Sequence, residues 1–64
     1  METDRAQLAS VATALDELTR RITHLADVTS GSEDEHAASE LYEIERSLQQ
    51  AARRLERLVR DTSP

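Results

Sequence analysis

The sequence predicts an all-α protein, an antiparallel two-helix hairpin that resembles a coiled coil. Two observations carry this prediction. Large apolar residues recur at alternating steps of three and four in two separate stretches, and the only glycine of the chain lies between them. The alternation is the a/d pattern of a heptad repeat, which gathers apolar side chains into one stripe along a helix. We expect the two stripes to pack against each other.

The first heptad stretch predicts a helix over about residues 4–28. Its a and d positions are aliphatic throughout: Leu8, Val11, Leu15, Leu18, Ile22 and Leu25. Thr3 precedes the stretch and is a candidate N-cap residue. Asp4 has the charge that the positive end of a helix dipole favours.

The segment Thr-Ser-Gly-Ser at residues 29–32 predicts the turn of the hairpin. Gly31 can take the left-handed conformation that often closes a helix C-terminus. Ser32 and Glu35 have the spacing of a capping box at the start of a second helix. A connection of this length joins neighbouring helices that run antiparallel.

The second heptad stretch predicts a helix over about residues 33–60. Its a and d positions are Leu41, Ile44, Leu48, Ala51, Leu55 and Leu58. Arginines crowd the end of this helix, where positive charge suits the dipole. Residues 61–64 predict a frayed tail.

Length and composition limit the possible functions. A chain of 64 residues forms one domain at most and buries little apolar surface alone. It has no cysteine, which excludes disulfides and cysteine-based zinc sites. No apolar run is long enough to span a membrane, and the acidic residues 1–4 do not resemble a secretory signal. We expect a cytoplasmic protein.

Small residues at the e positions predict a homodimer. In an antiparallel pair, e faces e, which brings Ala26 beside Ala38 and Ala12 beside Ala52. A lone hairpin leaves one side of its apolar stripe in water, so we expect a second copy to pack on this alanine flank and complete a four-helix bundle. The predicted partner-binding residues are Ala12, Ala26, Ala38, Tyr42, Ala52 and Val59.

The net charge of −5 is unevenly distributed, and the arginines collect in the last third of the chain. A stripe of them occupies the outer side of the second helix: Arg46, Arg53, Arg57 and Arg60. Such a stripe can contact nucleic-acid phosphates or an acidic protein. A solvated helix face that complements the dipole explains the same residues.

No catalytic constellation is present. His24 and Asp27 are three residues apart, and His36 and Glu40 are four residues apart, which are spacings of metal ligands on a helix. Two histidines exposed in an acid-rich turn explain the same pattern, so no metal or cofactor is predicted. We expect a non-enzymatic protein–protein interaction module, an adaptor or regulator that binds itself and another protein rather than a membrane. The alternative is a nucleic-acid-binding regulator that uses the Arg-rich end of the second helix. A more remote reading is an enzyme subunit that contributes no chemistry of its own.

Overall fold

The computed structural model describes residues 4–62, which form two α-helices joined by a short turn. Helix α1 spans Arg5–Ser30 and helix α2 spans Glu35–Asp61. The two helices pack against each other in a hairpin about 50 Å long and 16 by 14 Å across, and the described residues contain no strand. The prediction of an all-helical hairpin is confirmed. Neither helix carries an apolar stretch long enough to cross a membrane.

Helix α1 begins at Arg5 because Asp4 is its N-cap. One carboxylate oxygen of Asp4 accepts hydrogen bonds from the backbone N–H groups of Ala6 at 2.9 Å and Gln7 at 3.3 Å. These are two of the donors that the first turn of a helix leaves without partners. The candidate cap Thr3 lies outside the described residues.

The turn lies two residues later than predicted, at residues 31–34. Helix α1 continues through Thr29 and Ser30. Gly31 has a φ of −89° and a ψ of 1°, so the prediction of a left-handed conformation is wrong. A right-handed backbone closes the helix here because the amide and the hydroxyl of Ser32 both donate to the Thr29 carbonyl, at 2.9 and 2.6 Å.

Asp34, and not Ser32, caps helix α2. The Asp34 carboxylate accepts from the backbone N–H of Ala37 at 3.0 Å, whereas the Ser32 hydroxyl accepts from the Asp34 amide at 3.2 Å, outside the helix. The predicted capping box between Ser32 and Glu35 is therefore wrong. A carboxylate is the stronger acceptor, and the helix begins at Glu35, two residues later than predicted.

Helix α2 extends one residue beyond its predicted end. Asp61 is the last helical residue and Thr62 is the C-cap. The Thr62 amide donates to the Leu58 carbonyl at 3.0 Å, and the Thr62 hydroxyl donates to the Val59 carbonyl at 2.9 Å. The first half of the predicted frayed tail 61–64 thus belongs to the helix end, and the last two residues lie outside the described part of the chain.

The contact between the helices centres on the e positions of the heptads. Ala26 is fully buried, Ala38 is 5% exposed and Thr19 is 8% exposed, and all three occupy e. Thr19 is tolerated there because its hydroxyl donates to the Leu15 carbonyl of its own helix at 2.7 Å. The a positions beside them are half-buried: Leu8, Leu15, Ile22, Leu41, Leu48 and Leu55. The hairpin therefore packs through a and e, and not through a and d.

Candidate functional site

Rotation of both helices toward their e positions leaves the d positions open. On α1, Val11, Leu18 and Leu25 are 46–55% exposed, and on α2, Ile44 and Leu58 are 44% and 45% exposed. Two further exposed apolar residues adjoin them. We call the whole set the open apolar face: Val11, Leu18, Leu25, Val28, Ile44, Ala51 and Leu58.

The d positions of both helices lie on the same side of the hairpin. In an antiparallel pair the e positions of the two helices face each other, and so do the g positions. The d position lies on the g side of each helix, so both d rows lie on one side of the hairpin. Half-buried a residues such as Leu15 and Leu48 lie between the two rows. The apolar surface is therefore continuous across both helices, and it extends from the terminal end of the hairpin to Val28 near the turn.

A polar rim borders the open apolar face at the g positions. On α2 this rim contains Glu40, Ser47 and Arg54, all of which are exposed. Within residues 4–62 the ion pairs join neighbours on a single helix: Arg20–Asp16 at 3.3 Å and Arg46–Glu43 at 3.5 Å. Glu40 and Arg54 thus form no ion pair within the described chain, and both charges are available to a molecule that docks on the face.

Charged residues are distributed unevenly along the long axis of the hairpin. The turn end, residues 24–40, carries five carboxylates and no arginine. The terminal end, formed by residues 4–10 and 53–62, carries five arginines and three carboxylates. Any partner that covers the full length of the open apolar face meets both charges.

The structure places part of the predicted alanine flank inside the hairpin. Ala26 and Ala38 are buried between α1 and α2, and Ala12, Ala52 and Val59 are partly buried in the same contact. The helices of one chain thus cover much of this flank, and docking of a second copy on it stays a prediction. The uncovered apolar surface lies on the d side of the hairpin.

Tyr42 lies on the flank opposite the open apolar face. Its hydroxyl donates to a carboxylate oxygen of Asp27 at 3.0 Å, across 15 residues of sequence. The side chain expected to anchor a partner therefore links α2 to α1 near the turn. It is 38% exposed, so part of its ring still faces solvent.

The arginine stripe is exposed, and the structure brings three of its four members together. A shallow depression is lined by Arg53, Glu56, Arg57 and Arg60. Arg46 lies nearer the turn and pairs with Glu43. The depression offers several guanidinium groups to an anion, with one carboxylate among them.

In the part of the chain that the structure describes, no three acidic or histidine side chains lie close enough together to hold a metal ion. His24 lines a second shallow depression, on α1, beside Arg21 and Leu25.

The heptad pattern places the d positions in the hairpin core and so does not predict the open apolar face. The sequence does contain a feature that predicts this face, namely the difference in side-chain size between the two edges of the apolar stripe on each helix. The e positions are mostly small, such as Ala26 and Ala38, whereas five of the six d positions carry large aliphatic side chains. Close approach of two helices favours the small side, which turns the large side outward.

The fold and the site define a helical hairpin with one uncovered apolar face and opposite charges at its two ends. Comparison of the chain with protein-family models, with curated proteins and with solved structures finds no match. The features of this chain that bear on function are the open apolar face and its charged surroundings.

Proposed function

We propose that this chain is a small non-enzymatic protein-interaction module that binds a second copy of itself through the open apolar face and forms a four-helix bundle. In that state it serves as an adaptor or regulator of another protein in the cytoplasm. One observation carries the proposal: five large aliphatic side chains on one side of the hairpin are each 44–55% exposed. Contiguous apolar surface of this kind is typical of interaction sites.

The exposed area of the hairpin supports the proposal. The chain exposes 5118 Å², whereas a compact monomer of 7.2 kDa exposes about 4100 Å² by the usual scaling with mass. The excess of about 1000 Å² is close to the roughly 800 Å² that each partner buries in an interface of standard size. One additional copy on the open apolar face is enough to cover it.

Sedimentation of matched double variants tests the proposal. Leu18→Glu with Ile44→Glu places two carboxylates in the middle of the open apolar face, and a buried unpaired charge costs several kcal/mol. This variant is expected to sediment as a monomer. Thr13→Glu with Ser39→Glu adds the same charge at exposed outer positions and is expected to assemble like the wild type. A wild type that sediments as a folded monomer at micromolar concentration, or equal assembly of both variants, contradicts the proposal.

A second candidate function, a nucleic-acid-binding regulator, is favoured by the shared depression of Arg53, Arg57 and Arg60. Arginines that neutralise phosphates release counterions, so such binding falls steeply between about 50 mM and about 200 mM salt. Gel shifts with random duplex DNA and with RNA test this function. A complex that is lost at the higher salt and in Arg53→Glu with Arg57→Glu supports it, and free migration at both salt concentrations contradicts it.

A further inference from the structure

The distribution of charge along the hairpin determines how two copies can pair. We infer that the second copy docks in an inverted orientation, with its turn at the terminal end of the first copy, so that Glu40 of each copy faces the partner's Arg54. This inference rests on the proposed self-assembly and specifies its geometry.

The two ends of the hairpin favour the inverted orientation. A two-fold dimer of hairpins stacked through one face has its two turns at the same end or at opposite ends. With the turns together, the five carboxylates of residues 24–40 lie beside five more, and the arginines of the terminal ends lie beside each other. With the turns at opposite ends, the turn end of each copy, with a net charge of −5, lies beside the partner's terminal end, with a net charge of +2. Complementary charge of this kind fixes the orientation of an interface.

The rim of the open apolar face shows the same complementarity at the level of single residues. In the inverted orientation α2 lies antiparallel to the partner's α2, and Ser47 lies within one residue of the middle of α2, which spans Glu35–Asp61. Glu40 lies seven residues before Ser47, and Arg54 lies seven residues after it. A two-fold rotation about that point therefore places Glu40 opposite the partner's Arg54, twice in each dimer. All three residues are exposed.

The apolar side chains next to this point also fit the inverted orientation. Ile44 and Ala51 are d positions on either side of Ser47, and both are exposed. The same rotation brings the large Ile44 side chain, three residues before Ser47, to within one residue of the partner's small Ala51, four residues after it. Facing layers that alternate large and small residues pack without voids.

Distances between spin labels in the full-length chain measure the orientation. Because the chain has no cysteine, Glu33→Cys in the exposed turn carries a single nitroxide. Helix α2 has 27 residues, which is about 40 Å at about 1.5 Å per residue. The inverted dimer therefore predicts a label separation of about 40 Å. A separation within about 20 Å, roughly two helix spacings, overturns the inverted orientation alone. The absence of any dimer refutes the proposed self-assembly as well.

Charge reversal tests the contact between Glu40 and the partner's Arg54. Glu40→Arg and Arg54→Glu each create two like-charged pairs, so each is expected to raise the dimer dissociation constant about tenfold at low salt. The double variant restores both pairs and is expected to return to the wild-type constant. The control is Arg46→Glu, which makes the same charge change at an exposed outer position outside both charged ends of the hairpin and is expected to leave the constant nearly unchanged. If the double variant has a dimer dissociation constant no lower than that of the single variants, the proposed contact is wrong.

Discussion

At the scale of residues, two aspartates determine where the helices begin. Asp4 and Asp34 cap α1 and α2 through their carboxylates. The sequence pattern favours Ser32 as the second cap, and Ser32 and Asp34 are both good N-cap residues. The choice between them could not be read from the sequence because it depends on where α1 ends. The charged acceptor also suits the positive end of the helix dipole better.

The cap assignment predicts unequal effects for two substitutions in the turn. Asp34→Ala removes the acceptor for the Ala37 N–H and is expected to lower the free energy of unfolding by about 0.5–2 kcal/mol. Ser32→Ala removes a hydroxyl outside the helix and is expected to cost less than that. Urea unfolding at equal protein concentration measures both. A larger loss for Ser32→Ala than for Asp34→Ala contradicts the assignment.

Because the Gly31 backbone is right-handed, alanine can replace this glycine without strain in the folded state. A Cβ atom added at Gly31 comes no closer than 3.9 Å to the Val28 carbonyl oxygen, an ordinary contact. Gly31→Ala therefore leaves the folded state unstrained and restricts the unfolded chain. We expect it to raise the free energy of unfolding by about 0.4–1 kcal/mol, measured by urea unfolding. A loss of stability in this variant indicates a left-handed residue at this position.

At the scale of elements, the heptad pattern predicts two helices, their antiparallel pairing and the apolar stripe of each. It does not select which edge of the stripe faces the other helix, because the a, d and e positions together span a continuous arc of the helix surface. Packing makes that selection. Small residues at Ala26 and Ala38 allow the backbones to approach, so the helices rotate toward e and residues such as Leu18 remain exposed.

Glu45 is a polar residue in this otherwise small-residue contact. It occupies an e position between Ala38 and Ala52, and its Oε2 atom is buried without a hydrogen-bond partner within the described residues. An unsatisfied buried polar atom costs about 1–3 kcal/mol. Glu45→Met removes that atom while keeping an unbranched side chain, so we expect the free energy of unfolding to rise by about 1–2 kcal/mol.

Thermal or urea unfolding checks this expectation against a control at an exposed position of the same helix. Glu43→Met removes a carboxylate that faces solvent and is expected to change stability by about 0.5 kcal/mol or less. Equal effects of Glu45→Met and Glu43→Met indicate that water reaches the Glu45 carboxylate and that its burial costs nothing.

At the scale of the whole molecule, the hairpin lacks a second layer. Residues 4–62 form a single pair of helices, so one face of the apolar stripe has no covering element within the described chain. The sequence predicts the need for a partner from the short length and the long heptads. The side proposed for docking follows only from the rotation of the packed helices.

The proposed self-assembly through the open apolar face predicts that thermal stability depends on protein concentration. Only the folded dimer contains the interface, so each tenfold rise in concentration stabilises it by about 1.4 kcal/mol. For two chains of 64 residues, with an unfolding entropy of about 2.1 cal/mol/K per residue, this corresponds to a rise in Tm of about 5 °C. Circular dichroism melts between about 5 μM and about 500 μM are therefore expected to differ by about 10 °C. Leu18→Glu with Ile44→Glu is expected to abolish this difference. A wild-type Tm that stays constant over the same range means that the hairpin unfolds as a monomer and that its open apolar face serves a different protein.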